Sequence, residues 1–441
     1  MFFYNIVIHL VALLLTPLFL LRFTFFRKRI QKGTAQRAGF FSSKQKMLLQ
    51  QMQSPVLIHA ASVGETRAAA PLIKKIYTDT DGHEIILSNL TDTGHLIGQT
   101  FDQVHYCLYF PFDLPFAVRS FLRTVRPRYI IIIETEIWPN FIREAARMGI
   151  PVYIANGRLS ERSIQRYRAF RWLFAPVLQQ INFIFARTEE DRQRFLELGA
   201  DPQRVRLTGN IKFDAAIHDM EDSQWLSSFR EELRLPTDSE TRIVCFGSIH
   251  PGEDDLVLEV HRRLLEEGHK VVSILAPRHV EREQQVVERV KHKGFRAALR
   301  TEVPTQKRRL RSGDILVLNT IGELVRAYAV SHVVFVGGSF ISGGQGHNIL
   351  EACGVGKPVI YGPHMASFSE IAAVVHQWEA GNWVHDENEF FDSINGLLTN
   401  PALVQHMSDQ AKALLRKNQG AVEAIFSKIF REEEDDTENS Q

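Results

Sequence analysis

Short apolar runs alternate with helical stretches along most of this chain, and this alternation limits the folds open to it more than any other feature. The runs cover residues 56–60, 84–89, 105–109, 129–134, 152–155, 183–187 and 205–208 in the N-terminal half, and 243–246, 271–275, 315–318, 333–336 and 358–361 in the C-terminal half. Strands that alternate with helices predict parallel sheets with helices on both faces. We therefore expect an α/β protein with doubly wound sheets.

The length of 441 residues exceeds what one hydrophobic core usually organises, so it predicts two domains. The sequence places an N-terminal Rossmann-like domain at residues 31–216 and a C-terminal one at 241–425. A polar stretch at 217–240 with no clear strand would link them, and an acidic tail would follow at 426–441. Because doubly wound domains bind ligands at the carboxyl ends of their strands, we expect the two domains to face each other across a cleft.

The N-terminal segment has the composition of a membrane anchor. Residues 2–21 carry no charge and are mostly apolar, and a basic block follows at residues 22–46. A bilayer crossing takes about 20 such residues, so residues 1–30 are predicted to form a single anchor helix. The positive-inside rule then puts the rest of the chain on the cytoplasmic side. A buried N-terminal helix with a solvated basic flank is the alternative.

The overall composition narrows the functional classes further. The formal net charge is +1, which gives no case for nucleic-acid binding. The three cysteines, Cys107, Cys245 and Cys353, are widely spaced and show no metal-ligand pattern. We expect them to be reduced and structural, and we predict no metal site.

A glycine-rich turn follows the apolar run at 333–336 and leads into a short helix near residue 348. Gly338 and Ser339 end the predicted strand, and His347, Asn348 and Glu351 follow the turn. Glycines let a ligand approach the backbone closely, and a helix N-terminus offers free N–H groups to an anion. This arrangement predicts a site for the phosphate and ribose of a nucleotide. The alternative is that Asn348 and Glu351 only cap the helix.

A carboxylate follows the first strand of the N-terminal domain at the sequence Ser-Val-Gly-Glu, residues 62–65. A strand-to-helix turn here would place Glu65 at the rim of a cleft, where a general base is needed. The spacing of Ser62 and Glu65 is also that of a capping box for the helix that follows. The segment by itself favours the capping interpretation.

Two more carboxylates, Glu134 and Glu136, follow the run at 129–133, which should be a buried strand. Carboxylates at the end of a buried strand are costly unless they are paired or used in a reaction. A functional role and a structural one are equally consistent with the pattern. In the structural alternative, Glu136 caps the helix that begins near Pro139, and Glu134 pairs with an arginine such as Arg158.

Basic or polar donors end three further predicted strands, where they could hold a phosphate. Lys212 lies in the sequence Gly-Asn-Ile-Lys-Phe-Asp at residues 209–214. The other donors lie in the C-terminal domain. They are Ser248 and His250 after one strand, and Arg278 and His279, which follow Pro277, after the next.

Taken together, these motifs resemble those of the 3-deoxy-D-manno-oct-2-ulosonic acid (Kdo) transferases of lipopolysaccharide synthesis. The matching segments keep their order over nearly all the chain after the anchor: 62–65, 91–94, 134–140, 156–160, 208–214, 277–279, 322–324, 337–339 and 347–351. Glu-Thr-Glu-Ile-Trp-Pro-Asn at 134–140 and Gly-Asn-Ile-Lys-Phe-Asp at 209–214 are the specific strings, whereas the glycine-rich segments are common to many families.

The resemblance implies a GT-B fold, a CMP-Kdo donor and a lipid A precursor (lipid IVA) as acceptor. It implies an inverting transfer without metal or cofactor, in which Glu65 is the general base. Ser62, Glu134, Glu136 and Arg158 would bind the acceptor or support the active site. The donor would contact Lys212, Ser248, His250, Pro277, Arg278, His279, Gly338, Ser339, His347, Asn348 and Glu351, with Glu351 on the ribose hydroxyls.

The resemblance also gives the N-terminal segment a purpose. The acceptor is an anionic lipid, so the protein is expected at the cell inner membrane, with anionic lipids around its basic block. The sequence leaves the oligomeric state open. Two other functions are compatible with parts of the pattern: another GT-B nucleotide-sugar enzyme, such as a UDP-sugar transferase or a UDP-sugar 2-epimerase, and a non-catalytic lipid A-binding protein.

Overall fold

A computed structural model describes residues 4–6, 8–10, 14, 33–53, 55–80, 83–216, 223–303 and 308–431. The chain divides into two compact units. The first comprises Met1–Ala215 together with Asn418–Gln441, and the second comprises Ala216–Lys417. Each unit has a parallel sheet with helices along the chain between its strands, which confirms the predicted α/β class.

The first unit contains a parallel sheet of seven strands among its described residues, in the order β3-β2-β1-β4-β5-β6-β7. The strands are β1 (Val56–His59), β2 (Ile85–Asn89), β3 (Tyr106–Tyr109), β4 (Tyr129–Ile133), β5 (Val152–Gly157), β6 (Phe183–Ala186) and β7 (Val205–Leu207). Its helices are Thr34–Arg37, Ser43–Gln51, Val63–Asp79, Asp92–Gly98, Pro115–Val125, Pro139–Arg147, Glu161–Ala169, Arg171–Leu178, Glu189–Leu198, Ile211–Asp214 and Ala421–Phe426.

The second unit contains another parallel sheet of seven strands among its described residues, in the order β10-β11-β9-β8-β12-β13-β14. The strands are β8 (Arg242–Ile249), β9 (Val271–Pro277), β10 (Arg296–Leu299), β11 (Asp314–Val317), β12 (Val333–Val336), β13 (Val359–Tyr361) and β14 (Gly381–Trp383). Its helices are Ser223–Glu232, Asp254–Glu266, Glu283–His292, Leu324–Val330, Leu350–Gly354, Ser369–Gln377, Glu387–Thr399 and Pro401–Asn418.

The central strands are apolar on both faces because helices cover both sides of each sheet. Every residue of β4, with the sequence Tyr-Ile-Ile-Ile-Ile, is buried, and so is every residue of β12. Such strands cannot show the apolar–polar alternation of a half-exposed sheet. The unbroken apolar runs of the sequence therefore correctly predicted buried strands.

The order of the strands fixes where each unit can hold a ligand. In the first sheet β1 lies between β2 and β4, and in the second sheet β8 lies between β9 and β12. The winding direction of the chain changes between β1 and β4 in the first sheet and between β8 and β12 in the second. Such a change opens a crevice at the carboxyl ends of these strands. The segments that follow β1 and β4, and β8 and β12, carry most of the predicted site residues.

The sequence did not predict two edge strands. They are β10, with the sequence Arg-Ala-Ala-Leu, and β14, with the sequence Gly-Asn-Trp. Both are short and partly exposed, and neither carries a run of branched apolar residues. Their positions come from pairing with β11 and β13, which a local pattern cannot reveal.

The C-terminal segment returns to the first unit, a feature that the sequence did not indicate. The carboxylate of Asp214 accepts hydrogen bonds from the backbone N–H groups of Gly420, at 2.6 Å, and Val422, at 2.9 Å. The helix Ala421–Phe426 and the π-helical turn Ser427–Arg431 bury apolar side chains in the core that contains β1 and β4. The start of the predicted acidic tail is thus a packed helix, and the predicted linker contains the helix Ser223–Glu232.

The predicted membrane anchor at residues 1–30 lies outside the described residues, apart from 4–6, 8–10 and 14. Within the described part of the chain, no helix combines the length and the apolar character that a bilayer crossing requires. Tyr4 donates a hydrogen bond to Asp113 at 2.8 Å, which ties this early segment to the loop before the helix Pro115–Val125.

Candidate active site

Ser62 and Glu65 follow β1 and are connected by hydrogen bonds in both directions. Ser62 is the N-cap of the helix Val63–Asp79, and its hydroxyl accepts from the backbone N–H of Glu65 at 3.4 Å. The same hydroxyl donates to Glu65 Oε1 at 2.8 Å, and the backbone N–H of Ala61 donates to Oε2 at 2.7 Å. The serine therefore caps the helix while the carboxylate is held in one orientation. Capping and a fixed catalytic carboxylate are compatible here.

The environment of Glu65 makes its carboxylate more basic than usual. Burial is the largest influence and raises its pKa, and the charge of Glu134 raises it further. The hydrogen bonds from Ser62 and Ala61 and the positive charge of Lys212 oppose this effect without reversing it. A carboxylate with a raised pKa is a better acceptor for the proton of a hydroxyl group.

Glu134 lies immediately after β4 and pairs with Lys212. The Lys212 Nζ atom lies 3.2 Å from Glu134 Oε1, and the two side chains are only 20% and 17% exposed. The structural alternative had named Arg158 as the partner. Arg158 lies in the loop after β5, where its backbone N–H donates to the Thr135 hydroxyl at 3.1 Å and its carbonyl accepts from the same hydroxyl.

The pair of Glu134 and Lys212 depends on two residues with unusual backbone conformations. Glu134 has a φ of 62° and Asn156, in β5, has a φ of 59°. Such left-handed residues are costly for side chains other than glycine and often mark functional sites. Asn156 Oδ1 accepts from the backbone N–H of Ile211 at 3.2 Å, which fixes the residue next to Lys212.

Glu136 lies two residues further along the same loop and has a strongly perturbed carboxyl group. Burial and the negative charges of Glu65 and Glu134 raise its pKa to about 7, although a hydrogen bond from Trp138 lowers it. The structural alternative assigned Glu136 as the cap of the helix Pro139–Arg147, but Asp113 has that role. Asp113 accepts from the backbone N–H groups at positions 140 and 141, at 3.0 and 2.8 Å.

The first unit thus brings together five of the predicted residues at the carboxyl ends of its strands, namely Ser62, Glu65, Glu134, Glu136 and Lys212. Lys212, which we had expected to contact the donor, lies in this unit, where it pairs with Glu134 and is close enough to Glu65 to lower its pKa. One ammonium group among three carboxylates leaves excess negative charge. The raised pKa values of Glu65 and Glu136 reduce that excess.

The second unit gathers a cluster of rings and basic groups where β8, β9 and β12 end. The Nε2 atoms of His250 and His347 lie 2.7 Å apart, and their rings stack with a centroid separation of 5.0 Å. The ring of His279 lies 6.0 Å from that of His250, and Arg278 is close enough to lower the pKa of His250. A side chain at Gly338 would collide with both rings of the histidine pair, since a Cβ atom there would lie 3.0 Å from His347.

Ser248 and Glu351 lie near the buried Tyr328, and Asn348 contacts Glu351. Ser248 has a φ of 56° and makes a hydrogen bond with the Tyr328 hydroxyl, and Glu351 is close enough to raise the pKa of that hydroxyl. Asn348 accepts from the backbone N–H of Leu350 at 3.2 Å, and its amide donates to Glu351 Oε1 at 3.3 Å. Asn348 therefore contributes to the start of the helix and also orients Glu351.

Backbone amides of the glycine-rich turn donate to a buried carboxylate of the protein itself. The sequence did not predict these hydrogen bonds. The N–H groups of Gly338, Ser339 and Phe340 donate to Glu253, at 2.7, 3.0 and 3.0 Å. We had expected the glycines of this turn to let a ligand approach the backbone closely. Glu253 has a sequence signal only as an acidic residue at the start of a helix.

Comparison with known proteins places the chain in a family. The family model described as 3-deoxy-D-manno-octulosonic-acid transferase (kdotransferase) matches residues 32–215. A 3-deoxy-D-manno-octulosonic acid transferase from Haemophilus influenzae is 32% identical over 90% of this chain and 91% of its own length. The chain belongs to the 3-deoxy-D-manno-octulosonic acid transferase family. A Bordetella pertussis transferase of the same name is 30% identical over 84% of this chain and 85% of its own length.

The membership confirms the resemblance found in the sequence and makes this Kdo transferase family member a glycosyltransferase. Solved structures confirm the GT-B type of fold. A glycosyltransferase from Rickettsia africae has a TM-score of 0.54 at 13% identity and covers 86% of this chain and 99% of its own. A UDP-GlcNAc 2-epimerase from Neisseria meningitidis has a TM-score of 0.55 at 14% identity and covers 85% and 98%.

No group of three or more histidine, cysteine, aspartate or glutamate side chains in the described ranges is arranged to hold a metal ion. The three cysteines are free, and burial raises the pKa of Cys107 to about 11. A thiol of this kind is not a nucleophile at neutral pH.

Proposed function

We propose that this protein transfers Kdo from CMP-Kdo to a lipid A precursor, lipid IVA, in lipopolysaccharide biosynthesis, with inversion at the anomeric carbon. The observation that carries the proposal is the fixed carboxylate of Glu65, which lies beside Glu134 and Lys212 in a chain of the Kdo transferase family. A sugar hydroxyl is a poor nucleophile, so a base must remove its proton as it attacks.

Glu65 is suited to the role of general base by its geometry and its pKa. Oε1 accepts from the Ser62 hydroxyl and Oε2 accepts from the backbone N–H of Ala61. Each carboxylate oxygen has two lone pairs, so both hydrogen bonds leave capacity for a third donor, the acceptor hydroxyl. The orientation is set before the substrate binds, which reduces the entropy that the reaction must lose.

The residues around Glu65 would hold the loop after β4 in place and bind the acceptor. Lys212 offsets the charge of Glu134 and keeps the loop after β4 in place. Glu136, with a pKa of about 7, is partly protonated at neutral pH and can donate as well as accept a hydrogen bond to an acceptor hydroxyl. Arg158 supports the same loop through its backbone contacts with Thr135.

The cluster of the second unit supports a role in donor binding. The leaving group is CMP, which departs as a phosphate anion and needs positive charge more than it needs an acid. Positive charge and hydrogen bonds to the phosphate would come from four side chains: His250, Arg278, His279 and His347. The backbone around the phosphate would be formed by Pro277, Gly338 and Ser339. The nucleoside would be contacted by Ser248, Asn348 and Glu351. No metal or cofactor takes part in this scheme.

We propose further that the protein acts at the cytoplasmic face of the inner membrane. The support is the uncharged apolar segment at residues 2–21 and the basic block that follows it, which would attract anionic lipids. Deleting residues 1–26 should reduce co-sedimentation with vesicles that contain phosphatidylglycerol. Equal sedimentation of both forms would contradict the anchor.

The mass of the lipid product tests the reaction directly. The purified protein would be incubated with a CMP-Kdo generating system and tetraacylated lipid A precursor, beside the Glu65→Gln variant. A mass increase in units of Kdo, absent or much slower in the variant, is the expected result. No increase, while a known Kdo transferase works in parallel, would favour another nucleotide-sugar donor or a non-catalytic lipid A-binding protein.

A further inference from the structure

One buried carboxylate of the second unit has no part in the chemistry described so far. Glu253 is 1% exposed and precedes the helix Asp254–Glu266. Its side chain makes no cap bond to that helix. The carboxylate turns instead toward the segments that follow β8 and β12, where the predicted donor residues lie.

Four backbone N–H groups from two separate segments donate to this carboxylate. Oε2 accepts from His250 at 3.0 Å and from Gly338 at 2.7 Å. Oε1 accepts from Ser339 at 3.0 Å and from Phe340 at 3.0 Å. A carboxylate oxygen can accept two hydrogen bonds, so the four N–H groups use the whole accepting capacity of Glu253. Bonds of this kind to a charged, buried acceptor are among the strong hydrogen bonds of proteins.

The fit of Glu253 also accounts for a glycine in the turn. A Cβ atom at Gly337 would lie 2.7 Å from Glu253 Oε2, and 2.9 Å from the carbonyl oxygen of Ser248. The absence of a side chain at position 337 therefore lets the carboxylate reach the amides that follow. This glycine serves contact with the protein's own carboxylate, a different use from close approach to a ligand.

The same bonds link the two histidines of the cluster. His250 is tied to Glu253 through its own backbone N–H, while His347 packs against Gly338, whose N–H is also bound to Glu253. A shift of either segment would change the 2.7 Å separation of the histidine Nε2 atoms. Glu253 thus controls the geometry of groups that we assigned to the donor without lying among them.

We propose that Glu253 is a positioning residue for the nucleotide-sugar donor, which sets the relative placement of the turn at 337–340 and of His250. The proposal rests on the proposed function of the second unit as the donor site. It assigns the amides of this turn to an internal anion, so the phosphate of the donor is bound by side chains and by other backbone groups.

CMP, without acceptor or reaction, is the probe that tests this role. Isothermal titration would measure its affinity for the full-length wild type and for the Glu253→Gln variant. The amide keeps the shape of the side chain but places a donor group against two N–H donors. We expect CMP affinity to fall about tenfold to a hundredfold, because bonds to the charged acceptor are lost. Hydrogen exchange at the amides of residues 338–340 should become faster in the same variant.

Asp314→Asn provides a matched control. Asp314 is another buried carboxylate of the second unit, and it accepts from the backbone N–H of Arg311 at 2.9 Å and from the side chain of Arg296 at 2.9 Å. It lies at the start of β11, away from the strand ends that carry the cluster. We expect Asp314→Asn to lower the melting temperature and leave CMP affinity within about twofold of wild type. Equal losses of affinity in both variants would overturn the specific role of Glu253.

The outcomes separate this inference from the proposed function. If the wild type does not bind CMP, the donor assignment fails and Glu253 loses its role with it. If the wild type binds CMP and folded Glu253→Gln binds it equally well, only the inference about Glu253 is refuted. Should Glu253→Gln not fold, Glu253→Asp keeps the charge but shortens its reach. Weakened CMP binding by that folded variant supports the role, and unchanged binding refutes it.

Discussion

The Nε2 atoms of His250 and His347 face each other across 2.7 Å. At this distance one nitrogen donates a proton and the other accepts it, so the pair holds one proton between the two atoms. Burial, and then the positive charges of His279, Arg278 and Arg282, lower the pKa of His250 against the opposing effect of Glu253. A second proton would therefore enter only with an anion to balance it.

That balance predicts proton uptake when CMP binds. A phosphate beside His250 and His347 favours the form of the pair that carries one additional proton and a positive charge. CMP affinity should therefore rise as the pH falls from 8 to 6. For the uptake of one proton, the rise is at most about tenfold per pH unit. Calorimetry in buffers of different ionisation enthalpy would count the protons. The phosphate of CMP also titrates, so the comparison is with His347→Gln, in which the proton count should be smaller. Identical counts would contradict the shared proton.

Glu65→Gln should separate catalysis from helix capping. The amide oxygen can accept from the backbone N–H of Ala61 while the amide NH2 group donates to the Ser62 hydroxyl, so the start of the helix is kept. The amide cannot take a proton. We expect a melting temperature near that of the wild type and a rate lower by about 10²–10⁴-fold. Steady-state kinetics and thermal unfolding measure the two effects, with Glu144→Gln as the control because that residue pairs with Arg119 instead. A variant with full activity would exclude Glu65 as the base.

Glu136→Gln should change how stability depends on pH. The pKa of Glu136 is about 7 in the folded protein and about 4.5 in a free side chain, so the folded state binds the proton more tightly. Stability contributed by the protonated form is complete below pH 4.5 and is lost as the pH rises through 7, by about 3 kcal/mol. The glutamine resembles the protonated form. We expect urea denaturation to show a gain for the variant at pH 8 that shrinks as the pH falls and is lost below pH 4.5. A constant difference would disprove the shift.

Asp214→Asn should loosen the C-terminal helix from the first unit. The carboxylate accepts from the N–H groups of Gly420 and Val422, and its loss should cost about 1 kcal/mol, as for other helix caps. Urea denaturation measures the stability, and limited proteolysis reports whether the segment after residue 418 becomes accessible. Asp201→Asn is the control, because Asp201 caps only a short exposed 3₁₀ turn. Similar effects of both changes would argue against a special role for Asp214.

The sequence was sufficient for the α/β class and for placing the candidate residues directly after their strands. The runs such as 129–134 and 333–336 mark buried strands, and residues that follow a parallel strand must lie at its carboxyl end. Pairings across the sheet were beyond such patterns. Lys212 and Glu134 are 78 positions apart, and Gly338 and Glu253 are 85 apart. Neither pair carries a local signal, and only the strand order brings its members together.

The return of residues 418–431 to the first unit has a consequence for synthesis. The second unit is inserted into the first, because Met1–Ala215 is completed by a segment that follows residue 417. On the ribosome, the second unit can finish folding before the first has its last helix, with buried Ile425, Phe426 and Phe430, available. A fragment that stops at residue 215 would expose the apolar surface that those side chains cover. The first unit is thus the last to be finished, although nearly all of it is made first.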